Sequence, residues 1–354
     1  MQSKKEKIIY VYPSKSSFIL RDIEILNEDY EVIEFFFDTS NKKRVPIQFL
    51  RQLIFLINHL RNYKTIICHF AGYSSILPSL LSKLFRKKCI IIVAGNDGSK
   101  FPDFKYGNYT KTIFGLVTGN SLRFASHILP VHESLYLQEY SYYEGGKPAQ
   151  GYSFFFPKAK HVPYTPIYYG FDASVYTILP NIERKRNSYL TIGNLSDPYS
   201  FKRKGYDLII ELAFKRPDCD FTLIGWDGIK VIKVPNNVTL LPYMQQSEII
   251  KQFNLHQFYF QLSIMEGFPN ALAEAMLCGC IPIGSNVSGI PYIIENTGFV
   301  LKERNVVLLN EIIDKIKLKS ETELTELSQK ARNRIASEFT YQKRKNKLIQ
   351  IIKS

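Results

Sequence analysis

No apolar run in this sequence approaches the roughly 18 residues that a membrane-spanning helix requires. The first such run, Ile8 to Tyr12, follows a basic start (Met1 to Lys7) and is too short for a signal-peptide core. Both absences predict a chain that is neither exported nor membrane-spanning. The five cysteines (Cys68, Cys89, Cys219, Cys278, Cys280) are odd in number and include no CxxC pair. Neither a disulfide framework nor a zinc site is expected, and the setting they suit is a reducing cytosol. There is no zinc-finger or RNA-recognition signature, no internal repeat and no low-complexity tract. What is present is the balance of a folded protein: 354 residues, 45% hydrophobic and 22% charged. That length corresponds to two domains at about 150 residues each. Acidic residues are in deficit, 32 against 46 Lys and Arg, for a net charge of +14. The excess is greater before Gly170, with 22 basic and 13 acidic residues, including the clusters Lys42-Lys43-Arg44 and Arg86-Lys87-Lys88. Such a balance suits a polyanionic partner (nucleic acid, anionic lipid or phosphorylated substrate) as well as a merely solvated basic surface.

Short apolar runs alternate with helical patterns. Residues 7–12, 31–37, 65–69 and 89–94 are rich in β-branched or aromatic side chains and too short for ordinary helices, so they read as strands. Between them, 46–61 and 74–85 have helix length. Continuous apolar strands separated by helices predict a parallel sheet covered on both faces. The pattern restarts with strands at 188–192, 221–224, 238–240, 257–262 and 281–284, and helices at 206–214, 246–253 and 269–277. Polar residues 172–186 form the expected hinge. The fold class is therefore α/β, with two Rossmann-like doubly wound domains facing a cleft. The expected boundaries are 1–172 and 173–337, with a helix from about 338 to 354 packing back on the first domain. Residues 101–170, dense in Tyr and Phe, show one clear strand (128–131), and 321–353 reads as one long charged helix.

Ligands of such sheets lie at the carboxyl ends of the strands. There, Ser263 to Gly279 is the most informative stretch. A loop carries Glu266-Gly267-Phe268, Pro269 opens a helix at its first turn, and Gly279 can close it. The free amides from Gly267 to Ala271 and the helix dipole form an anion site suited to a diphosphate. Glu266 lies just outside that helix end and Glu274 slightly more than one turn inside it. Two carboxylates flanking a phosphate cradle suggest a sugar on each side, since vicinal hydroxyls donate to carboxylates. Glu274 could equally be a solvated carboxylate complementing the helix end. Lys202-Arg203-Lys204-Gly205 supplies cations at another strand-to-helix junction on the same edge.

Glu266 to Glu274 is an E-x7-E motif written EGFPNALAE, and it continues through Cys280-Ile281-Pro282-Ile283-Gly284 and Ser288-Gly289-Ile290-Pro291 to Glu295. With Lys204-Gly205 and Tyr169-Gly170-Phe171-Asp172, the chain resembles the family-4 retaining glycosyltransferases of the GT-B fold (glycosyl transferases group 1). The resemblance covers most of the chain and is strongest over 188–300. It implies transfer of a sugar from a nucleotide-diphosphate donor to an acceptor with retention of configuration. By that analogy Glu266 holds donor-sugar hydroxyls, while the backbone of Gly267, Phe268, Pro269 and Asn270 meets sugar and phosphate. Glu274 holds the ribose, Lys204 the diphosphate, and Leu241-Pro242-Tyr243-Met244 the base. No metal or other cofactor is implied, and the donor's own phosphate serves as base.

Three departures from the family pattern stand out. Gly193-Asn194 replaces the usual Gly-Arg, so that Lys202 or Arg203 is left to supply the charge. Ala94-Gly95-Asn96-Asp97 lacks a customary His but keeps Asp97, which can contact sugar or acceptor. The first loop is Pro13-Ser14-Lys15-Ser16-Ser17 in place of a glycine-rich one. His69, at a strand end, and His132 are further candidates for the cleft, and each is also compatible with a structural role.

The expected function is a glycosyltransferase acting on a glycan or lipid-linked acceptor in surface polysaccharide or glycoconjugate synthesis. Its expected location is cytoplasmic, peripheral on the inner face of the cytoplasmic membrane. The membrane part rests on 46–61, where Ile47, Leu50, Leu53, Ile54, Ile57 and Leu60 form an apolar stripe beside basic flanks, a pattern shared by core-facing helices. The alternative is a non-catalytic basic binding protein, for nucleic acid or an anionic surface, that keeps the fold. The retained Glu266, Glu274 and Lys204 speak against it, and nucleic acid is not the expected partner.

Overall fold

The computed structural model describes residues 5–195, 197–226 and 233–354. The side chains of Lys42 and Asn194, and hence the charge expected or missing at those two positions, lie outside the described residues. Two parallel sheets form the frame. The first contains β1 (Lys7–Tyr12), β2 (Glu31–Phe36), β3 (Thr65–His69), β4 (Lys88–Val93) and β5 (His127–Pro130), in the order β2-β1-β3-β4-β5. Its central strands carry Ile, Val and Cys that are buried on both faces, which requires helices above and below. Those helices are α1 (Ser17–Asn27), α2 (Val45–His59), α3 (Tyr73–Leu84) and α4 (Thr112–Phe124). In α1, Ile19, Ile23 and Leu26 recur at helical spacing and are buried, fixing the face that meets the sheet.

The second sheet contains β6 (Lys185–Leu195), β7 (Asp220–Trp226), β8 (Val238–Leu241), β9 (His256–Gln261), β10 (Ile281–Ser285) and β11 (Phe299–Leu301), in the order β8-β7-β6-β9-β10-β11. Its larger helices are α5 (Pro198–Arg203), α6 (Tyr206–Lys215), α7 (Gln246–Leu255), α8 (Asn270–Leu277), α9 (Val306–Lys317) and α10 (Glu321–Glu338). A last helix, α11 (Tyr341–Lys353), leaves this domain and packs on α1 of the first.

Three details differ from the sequence reading. The pattern over 321–353 is two helices, because Phe339 is drawn into an aromatic cluster and Thr340 caps a new helix by accepting the Lys343 amide at 3.2 Å. Pro269 is the N-cap of α8 and not its first turn. Helix α4 was not apparent because Gly115 and Gly119 and its β-branched residues lower helix propensity. Gly119 is needed where it stands, since a Cβ there would lie 2.2 Å from the Phe156 ring.

Residues 172–184 join the two sheets, and beside them Phe171 N–H donates to the Phe339 carbonyl at 2.8 Å. The domains meet elsewhere too. Tyr140 donates to the Ile264 carbonyl at 2.6 Å, and Arg203 lies 4.4 Å over the Tyr106 ring. A Cβ on Gly267 would stand 2.2 Å from the Ala94 carbonyl oxygen, so only glycine permits this backbone approach.

Candidate active site

Helix α8 is oriented by its two ends. At its C-terminal end the guanidinium groups of Arg184 and Arg332 bond the Cys278 and Leu277 carbonyls. Arg332 also reaches the Tyr176 carbonyl at 2.8 Å. Cations there complement the dipole and satisfy carbonyls that the helix leaves unpaired. The N-terminal end points into the interdomain cleft, where its first-turn amides have no intrahelical acceptor. There too the Asn270 side-chain oxygen Oδ1 is buried without a hydrogen-bond partner.

Glu266 lies before that end. Its Oε1 accepts from Ser263 at 2.7 Å and from Gln261 at 3.3 Å, and it is paired with the Lys204 ammonium. Desolvation raises the carboxyl's pKa, but Lys204 and Arg203 together with the hydrogen bonds outweigh it, so the net shift is downward. Lys204 is placed by the turn after α5. Gly205 has φ +79°, and a Cβ there would meet the Leu262 carbonyl oxygen at 2.4 Å, which accounts for the Lys-Gly pair. The two loops are tied together by Ile264 N–H donating to the Arg203 carbonyl at 2.8 Å. Arg203 itself stacks across the cleft on Tyr106, while Lys202 is exposed. Lys204, Glu266, Gly267, Pro269 and Asn270 line one cavity with Phe18, Phe70 and Tyr169 of the first domain.

A second cavity continues past Asn270 to Glu274, lined also by Tyr176, Tyr243, Gln246 and Arg21. Burial pushes the Glu274 carboxyl up to about 7, with the Tyr176 hydroxyl opposing the shift. No ion pair to Glu274 occurs among the described residues. Tyr243 is 79% exposed at this site, whereas Met244 packs partly buried against the core and is not among the lining residues.

Phe268 lines the same cavity as Glu266, with its ring 5% exposed among Tyr168, Tyr169, Phe171 and Phe339, which is compatible with the backbone contact expected of it. Two other expected contacts are corrected. Asp97 is fully buried and accepts three backbone N–H groups: Ala71 by Oδ2, and Ala94 and Gly95 by Oδ1, each at 3.0 Å. It ties the loops after β3 and β4 together, and burial pushes its carboxyl up to about 6 despite those amides. His69 is also fully buried. Its Nδ1 lies 3.0 Å from the Tyr10 hydroxyl and its Nε2 3.1 Å from that of Tyr169, which leaves no nitrogen for a ligand. Burial, with Arg344 nearby, holds it well below its usual pKa and so neutral. His132 caps the turn at Ser134 through Nδ1, and its ring meets Tyr168 and Tyr292.

The sequence reading missed the Asp22–Arg344 pair beside the second cavity. Arg344, from α11, forks onto both Asp22 oxygens at 2.5 Å and donates to the Ile167 and Tyr168 carbonyls. Both side chains are buried. Residues 322 positions apart give no local signal of such a contact.

Two Rossmann-like domains closing on one cleft define the GT-B architecture. Sucrose-phosphate synthase from Thermosynechococcus elongatus superposes with a TM-score of 0.74 over 99% of this chain and 98% of its own, at 14% identity. The Anabaena protein Alr3699/HepE, solved in complex with UDP-glucose, superposes with a TM-score of 0.70 over 98% and 99%, at 16% identity. Residues 181–334, which make up most of the second domain, match the family described as glycosyl transferases group 1. A subunit of the human phosphatidylinositol N-acetylglucosaminyltransferase is 31% identical over 135 residues, which cover 34% of this chain and 28% of that protein's length.

Proposed function

We propose that the chain is a retaining glycosyltransferase of family 4 that uses a nucleotide-diphosphate sugar and delivers the sugar to a glycan or lipid-linked acceptor. One observation carries the reading. Lys204 and Glu266 on one side, and Asn270 and Glu274 on the other, flank the unsatisfied N-terminus of α8 within one cleft. The diphosphate takes the place of the Glu266 carboxylate at Lys204 and accepts from the α8 amides. Glu266, released from Lys204, accepts from sugar hydroxyls, and Glu274 accepts from the ribose hydroxyls near Tyr243.

In the transfer step the bond from the anomeric carbon to the β-phosphate oxygen breaks, and the electron pair leaves with the diphosphate. The acceptor oxygen bonds the same carbon from the same face, and its proton passes to the departing phosphate. Lys204 and the helix amides stabilise the charge that grows on the leaving group, which is the largest contribution such a site makes. Arg203, released from Tyr106, is a further cation beside Glu266. These groups supply the positive charge that transfer requires, and the reaction is proposed to proceed without a divalent metal.

The test is a thermal-shift screen against nucleotide sugars, free nucleotides and a short DNA duplex. It is followed by NMR of the product's anomeric configuration, with and without a chelator. A ligand at a hundred times its Kd adds about 2.7 kcal/mol of stability. Stabilisation by one nucleotide family and loss of it in Lys204→Ala are expected. Stabilisation by the duplex alone, or an inverted product, would overturn the proposal.

A further inference from the structure

The helices α2, α3 and α4 form one layer on the first sheet, opposite the face that α1 and α11 cover. The apolar stripe of α2 does not turn inward. Ile47, Leu50, Ile54 and Ile57, at three- and four-residue steps, are 51 to 59% exposed, whereas Gln48 and Gln52 are buried against the domain. The Gln52 amide is satisfied there by the Ser74 carbonyl at 2.8 Å. Beside the stripe, Leu80 and Leu84 of α3 and Ile113 and Leu116 of α4 are also exposed. Contiguous exposed aliphatic surface of this kind marks an interaction site.

Charge identifies the occupant. Residues 39–96 contain ten Lys or Arg and no Asp or Glu, and residues 104–132 add three cations and again no carboxylate. Lys43, Arg44, Arg51, Lys83, Lys111 and Arg123 are exposed, and none forms an ion pair among the described residues. A second copy of the chain docked face to face by a two-fold axis would set cations against identical cations. A nucleic-acid duplex would leave the isoleucine and leucine side chains against a polar backbone. Aliphatic side chains interleaved with Lys and Arg instead match the acyl boundary and the phosphates of an anionic leaflet.

We infer that the outward face of the α2–α3–α4 layer docks on an anionic lipid bilayer. This goes beyond the proposed transfer and does not depend on it. A cavity of about 830 Å³ lies where the three helices begin, lined by Val45, Pro46, Phe70, Tyr73, Lys111 and Phe114. Docking sets this apolar cavity beside the leaflet, on the route an amphipathic acceptor would take to the cleft.

The experiment is sedimentation of the full chain with vesicles of phosphatidylcholine alone or mixed with phosphatidylglycerol, at low and high salt. The wild type is expected on the mixed vesicles and to be released by salt. Replacing Lys43, Arg44 and Arg51 together by Ser should lower partitioning about a hundredfold. Ile54→Asn with Ile57→Asn should lower it about tenfold. A control removing the exposed cations Lys215, Lys251 and Lys330 of the second domain should leave it unchanged. All these positions are at the surface, and unchanged melting temperatures show that the variants fold. Equal binding to both vesicle types, or an effect of the control as large as that of the patch, overturns the inference. So does absence of vesicle binding alongside patch-dependent DNA binding or dimerisation. Nucleotide-sugar binding measured on the same variants should not change, and its absence from the wild type would count against the proposed transfer alone.

Discussion

Glu274 allows the sharpest test of the site, because its environment places function and stability in opposition. Its carboxyl is raised from 4.5 to about 7 by burial. An acid whose pKa is higher in the folded than in the unfolded state contributes stability that is fully present below pH 4.5 and lost as pH rises through 7. The 2.5-unit difference corresponds to about 3 kcal/mol at 1.36 kcal/mol per unit. Because the side chain opens onto a cavity that admits water, we take about 2 kcal/mol. Glu274→Gln keeps the shape and cannot ionise, so at pH 8 it should be more stable than the wild type by that amount. With an unfolding entropy of about 2.1 cal/mol/K per residue, this is a rise in Tm of about 3 °C if the chain unfolds as a unit. At pH 4, below the unfolded value, the two proteins should melt within about 1 °C of each other. Nucleotide binding should behave in the opposite way. Wild-type affinity should rise as pH increases toward 7 and then level off, because ligand hydroxyls donate to the ionised carboxylate. In Glu274→Gln that rise should vanish and affinity should be lower. Scanning calorimetry at both pH values with titration calorimetry across the range would decide the matter. A glutamine variant that is less stable at pH 8, or equally shifted at pH 4 and 8, would refute the assignment of an unpaired buried carboxyl.

Other variants probe the frame. Gly267→Ala must push the second domain away from the Ala94 carbonyl. It should enlarge the radius of gyration in solution scattering and lower transfer about a hundredfold, as displacements near 1 Å do at reacting centres. Asp22→Ala strands the Arg344 guanidinium in the interior and should cost about 3–5 kcal/mol in denaturant unfolding. His69→Asn leaves the Tyr10 and Tyr169 hydroxyls short of partners and should cost about 1–3 kcal/mol. Its kcat, measured well below its Tm, should remain within a few-fold of wild type, whereas a loss of several orders of magnitude would restore His69 to the chemistry.

Much of this molecule could be read from local pattern. The strands buried on both faces are continuous runs of Ile, Val and Cys, and the EGFPNALAE stretch carries its own loop, helix start and flanking carboxylates. Where the reading fell short, the determining partner lay far away in sequence. His69 ends a strand at the cleft edge, which suggested a ligand-facing ring, but its nitrogens are taken by tyrosines 59 and 100 residues distant. Asp97 had its role fixed by three amides, one of them from the preceding loop. The direction of the α2 stripe depended on Gln48 and Gln52 finding room inside, a fact that helical periodicity does not contain.

The chain crosses between the domains twice, once near Gly170 and again at Phe339–Thr340, and the crossings touch: a Cβ on Gly170 would lie 2.7 Å from the Tyr341 Cα. Because α11 is fastened to α1 through Arg344 and Asp22, neither crossing can slacken independently. A linker of one strand would leave the halves free to drift and twist, whereas two abutting strands act as a pivot. Any rotation about that point would move the residues beside Phe171 least and remote contacts such as Arg203 on Tyr106 most.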